Sequence, residues 1–313
     1  MHAVVISEGR LAWQERPDPA PGDTELLVAV RAAGVNGADL AQRAGVYPAP
    51  PGSPPDVPGL ELAGEVLAAG AGVTACRPGD RVMGLVGGGG QATLATVDEA
   101  HTLPVPESLS WPEAGGFVES FFTAFDALFS RGGLELGDRL LVTGAAGGVG
   151  TAAVQLGAVA GAEVVAVVRA PECRAAVAEL GAARVIAPDQ VGDNGPYDVV
   201  LELAGAPSLA AALPALAIGG RVVVIGIGAG ARLDLDLQGL MTRRARLHGS
   251  TLRARSRTEK GVVTAAVARR VLPLLASGRV RVPVMATYPL PDATAAYERF
   301  ATPGKLGKIV LLA

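Results

Sequence analysis

The chain has 313 residues, a formal net charge of −3 and a hydrophobic fraction of 50%. This length suffices for two domains with separate cores, and the acidic balance gives no indication of binding to nucleic acid or an anionic membrane. Two cysteines, Cys76 and Cys173, cannot form a disulfide framework, and the N-terminus lacks the features of a secretory signal. We therefore expect a cytoplasmic protein.

Residues 1–118 are rich in glycine and proline and contain short strand-like runs. These runs are Ala3–Ile6, Glu25–Ala32, Gly64–Leu67 and Arg81–Leu85. Short apolar runs separated by turn residues predict a compact antiparallel β domain. The proline-rich segment Tyr47–Pro58 crosses this domain, and we expect it to be an ordered rim rather than a linker.

The segment Arg139–Gly161 predicts a buried strand, a glycine-rich turn and a helix. Its glycines at 144, 147 and 150 would let the backbone pass close to a pyrophosphate, whose charge the helix N-terminus attracts. A membrane-spanning helix is one alternative, because residues 140–162 carry no charge, but the glycines would break such a helix. A structural corner without a ligand is the other alternative. Dinucleotide binding is the favoured interpretation.

Apolar runs and helical stretches alternate after this corner. The four runs end at Val168, Ala187, Leu203 and Ile227, and the helical stretches are Pro171–Leu180 and Ser208–Ala217. This alternation predicts a doubly wound parallel sheet. Further on, Thr258–Ala276 has a helical pattern, and a final strand, Lys308–Leu312, is expected to return to the N-terminal domain.

The residue that follows the second strand of this sheet bears on coenzyme choice. An acid there accepts a hydrogen bond from the ribose of NAD, whereas this chain has Arg169, which suits a 2′-phosphate. A solvated surface arginine is the alternative. The sequence therefore favours NADPH, with NADH not excluded.

The sequence offers no pattern of metal ligands. Its two cysteines and three histidines (His2, His101 and His248) are scattered, without a C-x-x-C or H-x-x-x-H pair. Catalytic and structural zinc sites need three or four closely arranged ligands. No metal is predicted.

Several motifs of this chain occur in order along the sequence. Together they make the chain resemble the medium-chain dehydrogenase/reductase superfamily, in its zinc-free quinone oxidoreductase branch. They are Val35-Asn36, Asp39, Arg43–Tyr47, Gly59–Gly64, Pro78–Val82, the glycine turn at 144–150 and Gly307–Leu311. Gln42–Pro51, Val118–Phe125 and Leu252–Ser256 look closest to the p53-inducible quinone oxidoreductase type.

This resemblance implies a β-rich GroES-like catalytic domain and a Rossmann dinucleotide-binding domain, with a cleft between them. Residues 1–118 and 257–313 would form the catalytic domain, and residues 119–256 the dinucleotide domain. Relatives of this type are commonly homodimers, and edge strands of the dinucleotide domain are the expected contact.

The resemblance also implies roles for individual residues. Asn36 and Tyr47 would be catalytic, with Asn36 also hydrogen-bonding the coenzyme and Tyr47 donating a proton. A turn residue and a packed rim aromatic are the structural alternatives for these two. Glu61 is interpreted as a structural hydrogen-bonding acid. The residues expected to bind the coenzyme are Asn36, Thr123, Ala146, Gly147, Gly148, Val149, Arg169, Arg174, Gly226, Ile227 and Lys305.

The chain also departs from the family. Cys173 stands where a lysine usually grips the 2′-phosphate, so Arg169 and Arg174 would have to replace it, and Lys305 stands where the family has asparagine. The expected activity is NADPH-dependent reduction of quinones or of the C=C bond of α,β-unsaturated carbonyls. The alternatives are an enoyl-thioester reductase of a biosynthetic pathway and a non-enzymatic NADPH-binding protein. RNA binding is disfavoured because no basic, aromatic-interleaved stripe is present.

Overall fold

The computed structural model describes residues 1–313, which divide into two units. The first unit comprises Met1–Phe122, Leu252–Pro303 and Lys308–Ala313, and the second comprises Thr123–Thr251 and Gly304–Gly307. The expected boundaries at residues 118 and 256 thus lie within five residues of the observed ones. The expectation is wrong for residues 304–307, which lie in the second unit and not in the first.

A seven-stranded sheet forms the centre of the first unit, in the order β14-β15-β3-β4-β5-β7 with β6 paired to β3. A separate hairpin consists of β1 and β2. The strands are β1 (His2–Ser7), β2 (Arg10–Glu15), β3 (Glu25–Val35), β4 (Glu61–Ala69), β5 (Arg81–Leu85), β6 (Leu94–Asp98), β7 (Thr102–Pro104), β14 (Val284–Pro289) and β15 (Lys308–Leu312).

The sheet is antiparallel except for the pair β14 and β15. Residues alternate between buried and half-buried over the first half of β3, as expected for a strand with one face on a core. β15 pairs with β3 in the register Ile309 opposite Val35, which confirms the expected return of the C-terminal strand.

The first unit also contains five helices besides the start of α3 (Val118–Phe125). They are α1 (Gly37–Arg43), α2 (Trp111–Gly115), α8 (Arg257–Arg270), α9 (Leu272–Ala276) and α10 (Ala293–Ala301), with single 3₁₀ turns at Glu99–His101 and Leu290–Asp292. The helix expected over residues 258–276 is divided at Val271, because Pro273 in the following turn has no N–H to continue the helical bonding.

The second unit contains a parallel sheet of six strands in the order β10-β9-β8-β11-β12-β13. These strands are β8 (Arg139–Val142), β9 (Glu163–Val167), β10 (Arg184–Ile186), β11 (Tyr197–Glu202), β12 (Leu216–Val224) and β13 (Arg246–Gly249). In chain order this is 3-2-1-4-5-6, the doubly wound arrangement whose order reverses between β8 and β11. Ligands of such sheets bind at the carboxyl ends of the strands, at that reversal.

Helices connect the parallel strands. They are α4 (Gly148–Val159), α5 (Arg174–Ala178), α6 (Ala206–Ala212) and α7 (Leu237–Arg243), with 3₁₀ turns at Pro171–Cys173, Pro188–Gln190, Gly192–Asn194 and Leu213–Ala215. The division between the units falls within α3 (Val118–Phe125), which continues into a π-helix, Asp126–Arg131. No helix in the structure has both the length and the apolar character that crossing a lipid bilayer requires.

Candidate functional site

The glycine corner of the second unit joins β8 to α4 by a tight turn. Gly144 has a φ of +56°, a conformation that residues with a Cβ rarely adopt. A Cβ on Gly150 would lie 2.6 Å from the Cα of Ala145, so only glycine lets the first helical turn approach the end of the strand this closely. Both glycines are therefore required by the shape of the corner.

The N-terminus of α4 has free hydrogen-bonding capacity for an anion. Its N-cap, Gly147, has no side chain to satisfy the first amides, so those of Gly148 and Val149 have no acceptor within the helix. The amide of Gly147 was expected to bind the coenzyme, but in the structure it donates to the Gly144 carbonyl at 3.0 Å. The Ala146 carbonyl accepts from Gly307 N at 2.7 Å. The corner therefore fits a pyrophosphate, held mainly by the first helical turn.

Cationic side chains surround the end of β9. Arg169 is exposed and forms no ion pair. Arg174 is half-buried, and its Nε donates to the carbonyl of Val168 at 3.3 Å, which fixes the guanidinium beside the strand end. The Cys173 thiol donates to the Lys305 carbonyl at 3.8 Å, so the segment 304–307 lies against the start of α5. The end of β9 is thus followed by Arg169 and Arg174, and the acid Glu172 lies beside Gly304.

Glu202 is a residue of this region that sequence analysis did not single out. It is buried at the end of β11, next to the reversal of strand order, and Oε1 accepts from Thr143 Oγ1 at 3.0 Å. The same oxygen accepts from the amides of Ala204 and Gly205 at 2.6 and 2.7 Å. Glu202 thus ties the ends of β8 and β11 to the following loop. The sequence signal that could have identified Glu202 is an acidic residue at the end of an otherwise apolar strand.

The other three residues expected to bind the coenzyme occupy different places in the structure. Gly226 follows β12, and its amide donates to the Glu202 carbonyl at 3.0 Å. Ile227, the next residue, is exposed, whereas Thr123 is buried in α3. Of these residues, Gly226 is linked by a direct bond to the end of β11.

In the first unit, three buried ionisable side chains bind Asn36, the N-cap residue of α1. Its amide N–H donates to Asp39 Oδ2 at 2.8 Å. Its Nδ2 donates to Glu61 Oε1 at 2.9 Å, and its Oδ1 accepts from Lys308 Nζ at 2.6 Å. Because an ammonium only donates and a carboxylate only accepts, these partners fix the orientation of the carboxamide.

Lys308 and Glu61 form an ion pair with Nζ and Oε1 2.6 Å apart, and their side chains are 3% and 0% exposed. The other oxygen of Glu61 accepts from the Glu119 amide at 2.8 Å. A Cβ on Gly34 would lie 2.8 Å from the carboxyl carbon of Glu61, so this position leaves room only for glycine. Glu61 thus accepts hydrogen bonds from Asn36, Lys308 and the Glu119 amide, and its interpretation as a structural acid stays a prediction.

Two further carboxyl groups in this unit titrate near neutral pH. Burial raises the pKa of Asp39 to about 7, against the lowering effects of the amides of Asn36 and Gly59. Burial, together with the negative charge of Glu61, raises the pKa of Glu119 to about 7. Groups of this kind hold or release a proton at the pH where most enzymes work.

Tyr47 presents a hydroxyl that makes no hydrogen bond within the protein. The ring is half-buried and lies beside the guanidinium of Arg253, whose Cζ is 5.2 Å from the ring centroid. Burial raises the pKa of Tyr47, the charge of Arg253 lowers it, and Glu119 raises it. Asn36 directly precedes α1, whose seven residues span about 10 Å, and Tyr47 follows the helix by four residues. No hydrogen bond joins the two side chains.

Comparison with known proteins agrees with this architecture. Residues 22–107 match the family described as alcohol dehydrogenase GroES-like domain, and residues 148–268 match that described as zinc-binding dehydrogenase. The quinone oxidoreductase of Rattus norvegicus is 30% identical over 310 residues, which cover 94% of this chain and 91% of the relative. That of Lama guanicoe is 30% identical over 329 residues, covering 100% and 97%.

Solved structures are similar over the whole chain. A mycobacterial protein complexed with NADPH has a TM-score of 0.90 and 28% identity, with both chains covered completely. A quinone oxidoreductase of Pseudomonas syringae has a TM-score of 0.88 and 26% identity, also with complete coverage.

A GroES-like domain combined with a Rossmann domain defines a medium-chain dehydrogenase/reductase. The chain belongs to the quinone oxidoreductase branch of this superfamily and is an oxidoreductase. The resemblance recognised from the sequence motifs is thereby confirmed, as is the fold class.

The residues present do not fit a zinc ion, despite the description of the second matching family. No three His, Cys, Asp or Glu side chains are arranged to hold a metal in the structure. Zinc sites of either kind require such a set.

Proposed function

We propose that the chain is a zinc-independent, NADPH-dependent oxidoreductase that reduces quinones or the C=C bond of α,β-unsaturated carbonyls. The observation that carries this proposal is the glycine corner of the doubly wound sheet. Its first helical turn has free amides, and an arginine rather than an acid follows the second strand. The NADPH named for one structural neighbour supports the choice of coenzyme.

In this proposal, the amides of Ala146, Gly148 and Val149 bind the pyrophosphate, and Arg169, Arg174 and Lys305 bind the 2′-phosphate. Thr123, Gly226 and Ile227 remain proposed contacts of the coenzyme. When bound, the reduced nicotinamide supplies a hydride to the acceptor. The protein's own residues orient the acceptor and supply the proton that completes the two-electron reduction.

Tyr47 is the proposed proton donor. Its phenol has no hydrogen-bond partner within the protein, and it carries its proton at neutral pH, because the ordinary pKa of tyrosine is about 10 and burial raises it further. It donates its proton to the oxygen of the reduced acceptor, where negative charge develops as the hydride arrives. Asn36 is the proposed second catalytic residue. Its Nδ2 donates to Glu61 and to the Gly34 carbonyl, so the remaining lone pair of its fixed Oδ1 is the group suited to accept from a hydroxyl.

The test is oxidation of NADPH by the purified protein on addition of a panel of quinones and enones. Tyr47→Phe and Asn36→Ala should lower turnover more than they weaken NADPH binding, and equal losses in both would remove the catalytic assignment. NADPH binding without turnover of any acceptor would instead favour a non-enzymatic protein.

Coenzyme preference has a separate test. Arg169→Ala should lower the preference for NADPH over NADH, measured as the ratio of their affinities. The mutation removes a charge that would interact with the 2′-phosphate of NADPH, which NADH lacks. Arg184→Ala is the matched control: Arg184 is exposed on β10 and interacts with Glu163 and Asn194. An unchanged ratio in Arg169→Ala would exclude Arg169 from the phosphate site.

We also propose that the protein is a homodimer joined at β13. This strand is the edge of the parallel sheet, all four of its residues are exposed, and Leu247 is among them. On the preceding α7, Leu237 and Met241 are 63% and 75% exposed. Unpaired edges next to apolar side chains favour pairing with a second chain. Leu247→Arg should yield a monomer by light scattering, whereas an unchanged mass would place the interface elsewhere.

A further inference from the structure

Arg253 is a buried arginine that binds three separate parts of the first unit. It is 3% exposed. Its Nε donates to the Gly87 carbonyl at 2.7 Å, its Nη1 to the Tyr47 carbonyl at 3.1 Å, and its Nη2 to Gln42 Oε1 at 2.5 Å. A single rigid guanidinium therefore fixes these three groups relative to one another.

These contacts connect the proline-rich loop, residues 47–58, to α1 and to the segment at Gly87. Gln42, itself bound by Arg253, donates through Nε2 to the Pro55 carbonyl at 3.0 Å. Gly87 lies under the middle of the loop, where a Cβ would be 2.9 Å from Pro50 Cγ. Arg253 thus holds the loop directly at its first residue and, through Gln42, near its end.

The charge of Arg253 is not neutralised by these bonds. All three acceptors are neutral carbonyl or carboxamide oxygens, and no carboxylate forms an ion pair with the guanidinium. The guanidinium also lies beside the aromatic ring of Tyr47. The same residue therefore fixes the backbone of Tyr47 and places a positive charge next to its phenol.

We propose that Arg253 is the positioning residue of Tyr47, holding its backbone and ring so that the free hydroxyl occupies one place in each turnover. This inference rests on the proposed role of Tyr47 as proton donor. Lysine cannot replace Arg253 fully, because an ammonium lacks the planar fork that reaches three acceptors in different directions.

The experiment is a double-mutant cycle on the full-length protein with NADPH and the best quinone of the panel. We expect Arg253→Met to lower kcat about 10- to 100-fold, as a misplaced proton donor would, with the Kd of NADPH changed less than about twofold. In the Tyr47→Phe background, the same mutation should lower kcat by no more than about twofold, because its effect acts through the phenol. Arg253→Lys should restore part of the rate.

The pH dependence of kcat distinguishes the positioning role from a general loss of packing, which would not shift it. Removing the charge of Arg253 raises the pKa of Tyr47, since Glu119 and burial then act on it unopposed. The alkaline limb of kcat should therefore shift to higher pH in Arg253→Met. Arg257→Met is the matched control, because Arg257 is exposed and pairs with Asp98 instead, and it should leave kcat and the profile unchanged.

Equal losses of kcat in the wild-type and Tyr47→Phe backgrounds would overturn the positioning role, as would an unaltered kcat in Arg253→Met. If Arg253→Met does not fold, Gln42→Leu takes its place, because it removes one acceptor of Arg253 and the hydrogen bond to the Pro55 carbonyl. Its effect on kcat must also be smaller in the Tyr47→Phe background than in the wild-type protein. Additive losses of kcat would overturn the proposal. An absence of turnover in the wild-type protein would overturn the proposed function, and the positioning role with it.

Discussion

Replacing Lys308 with methionine should destabilise the first unit by about 3 kcal/mol. The mutation keeps an unbranched side chain of similar length but removes the ammonium 2.6 Å from Glu61. Breaking a buried ion pair by deleting one partner typically costs about 3–5 kcal/mol, because the other charge stays buried. The lower end applies here, since Glu61 still accepts from Asn36 Nδ2 and the Glu119 amide.

Urea denaturation followed by tryptophan fluorescence measures this loss. Both tryptophans of the chain, Trp13 and Trp111, lie in the first unit and report on its unfolding. With a denaturant dependence of about 1–3 kcal/mol per molar urea, the midpoint should fall by roughly 1 M or more.

Two controls make the result specific. Arg31→Met breaks the exposed pair of Arg31 and Glu65 between β3 and β4, which should cost less than about 1 kcal/mol. The double mutant Glu61→Gln, Lys308→Met leaves no lone charge and should lose less stability than the two single mutants added together. The reasoning is refuted if Lys308→Met costs no more than Arg31→Met, or if the two losses are additive.

Other predictions concern the glycine corner and the titrating acids. Gly150→Ala should weaken NADPH binding at least about 10-fold by calorimetry, because its Cβ would press on Ala145, whereas Gly192→Ala, with no atom near its Cβ, should bind normally. Folded Asp39 keeps its proton up to a pKa of about 7, but the unfolded carboxyl loses it near pH 4. Stability should therefore fall as pH rises from about 4 to 7, by up to about 1.4 kcal/mol per pH unit for this group. Asp39→Asn should flatten that dependence in urea titrations, and parallel curves for the two proteins would contradict the assignment.

Strands with strong apolar runs were predictable from the sequence. Arg81–Leu85 and Lys308–Leu312 have the bounds expected, and the remaining predicted strands differ mainly at their ends. β13 was missed because its four residues, Arg246–Gly249, are all exposed and form no apolar run. The helix expected over 208–217 ends at Ala212, since Pro214 cannot continue helical bonding and a strand begins at Leu216.

The candidate site was predictable only in part. Asn36 and Tyr47 were found through motifs close together in the sequence. The partner that orients Asn36 was not, because Lys308 lies 272 positions away and only the sheet brings the two together. Arg253 contacts Gln42 across 211 positions, and here a turn before α8 meets α1 through tertiary packing. Pairings across a sheet depend on strand register, which local composition does not encode.

The position of β15 between β14 and β3 determines the order in which the two sheets can be completed during synthesis. The parallel sheet has all its strands once residue 249 has been translated, whereas the first unit's sheet waits for residues 308–312. Most strands of that sheet are synthesised before the intervening domain, so they lack the neighbouring strand β15 until the last residues have been made. The sheet whose strands begin first along the chain is therefore the last to receive all of them.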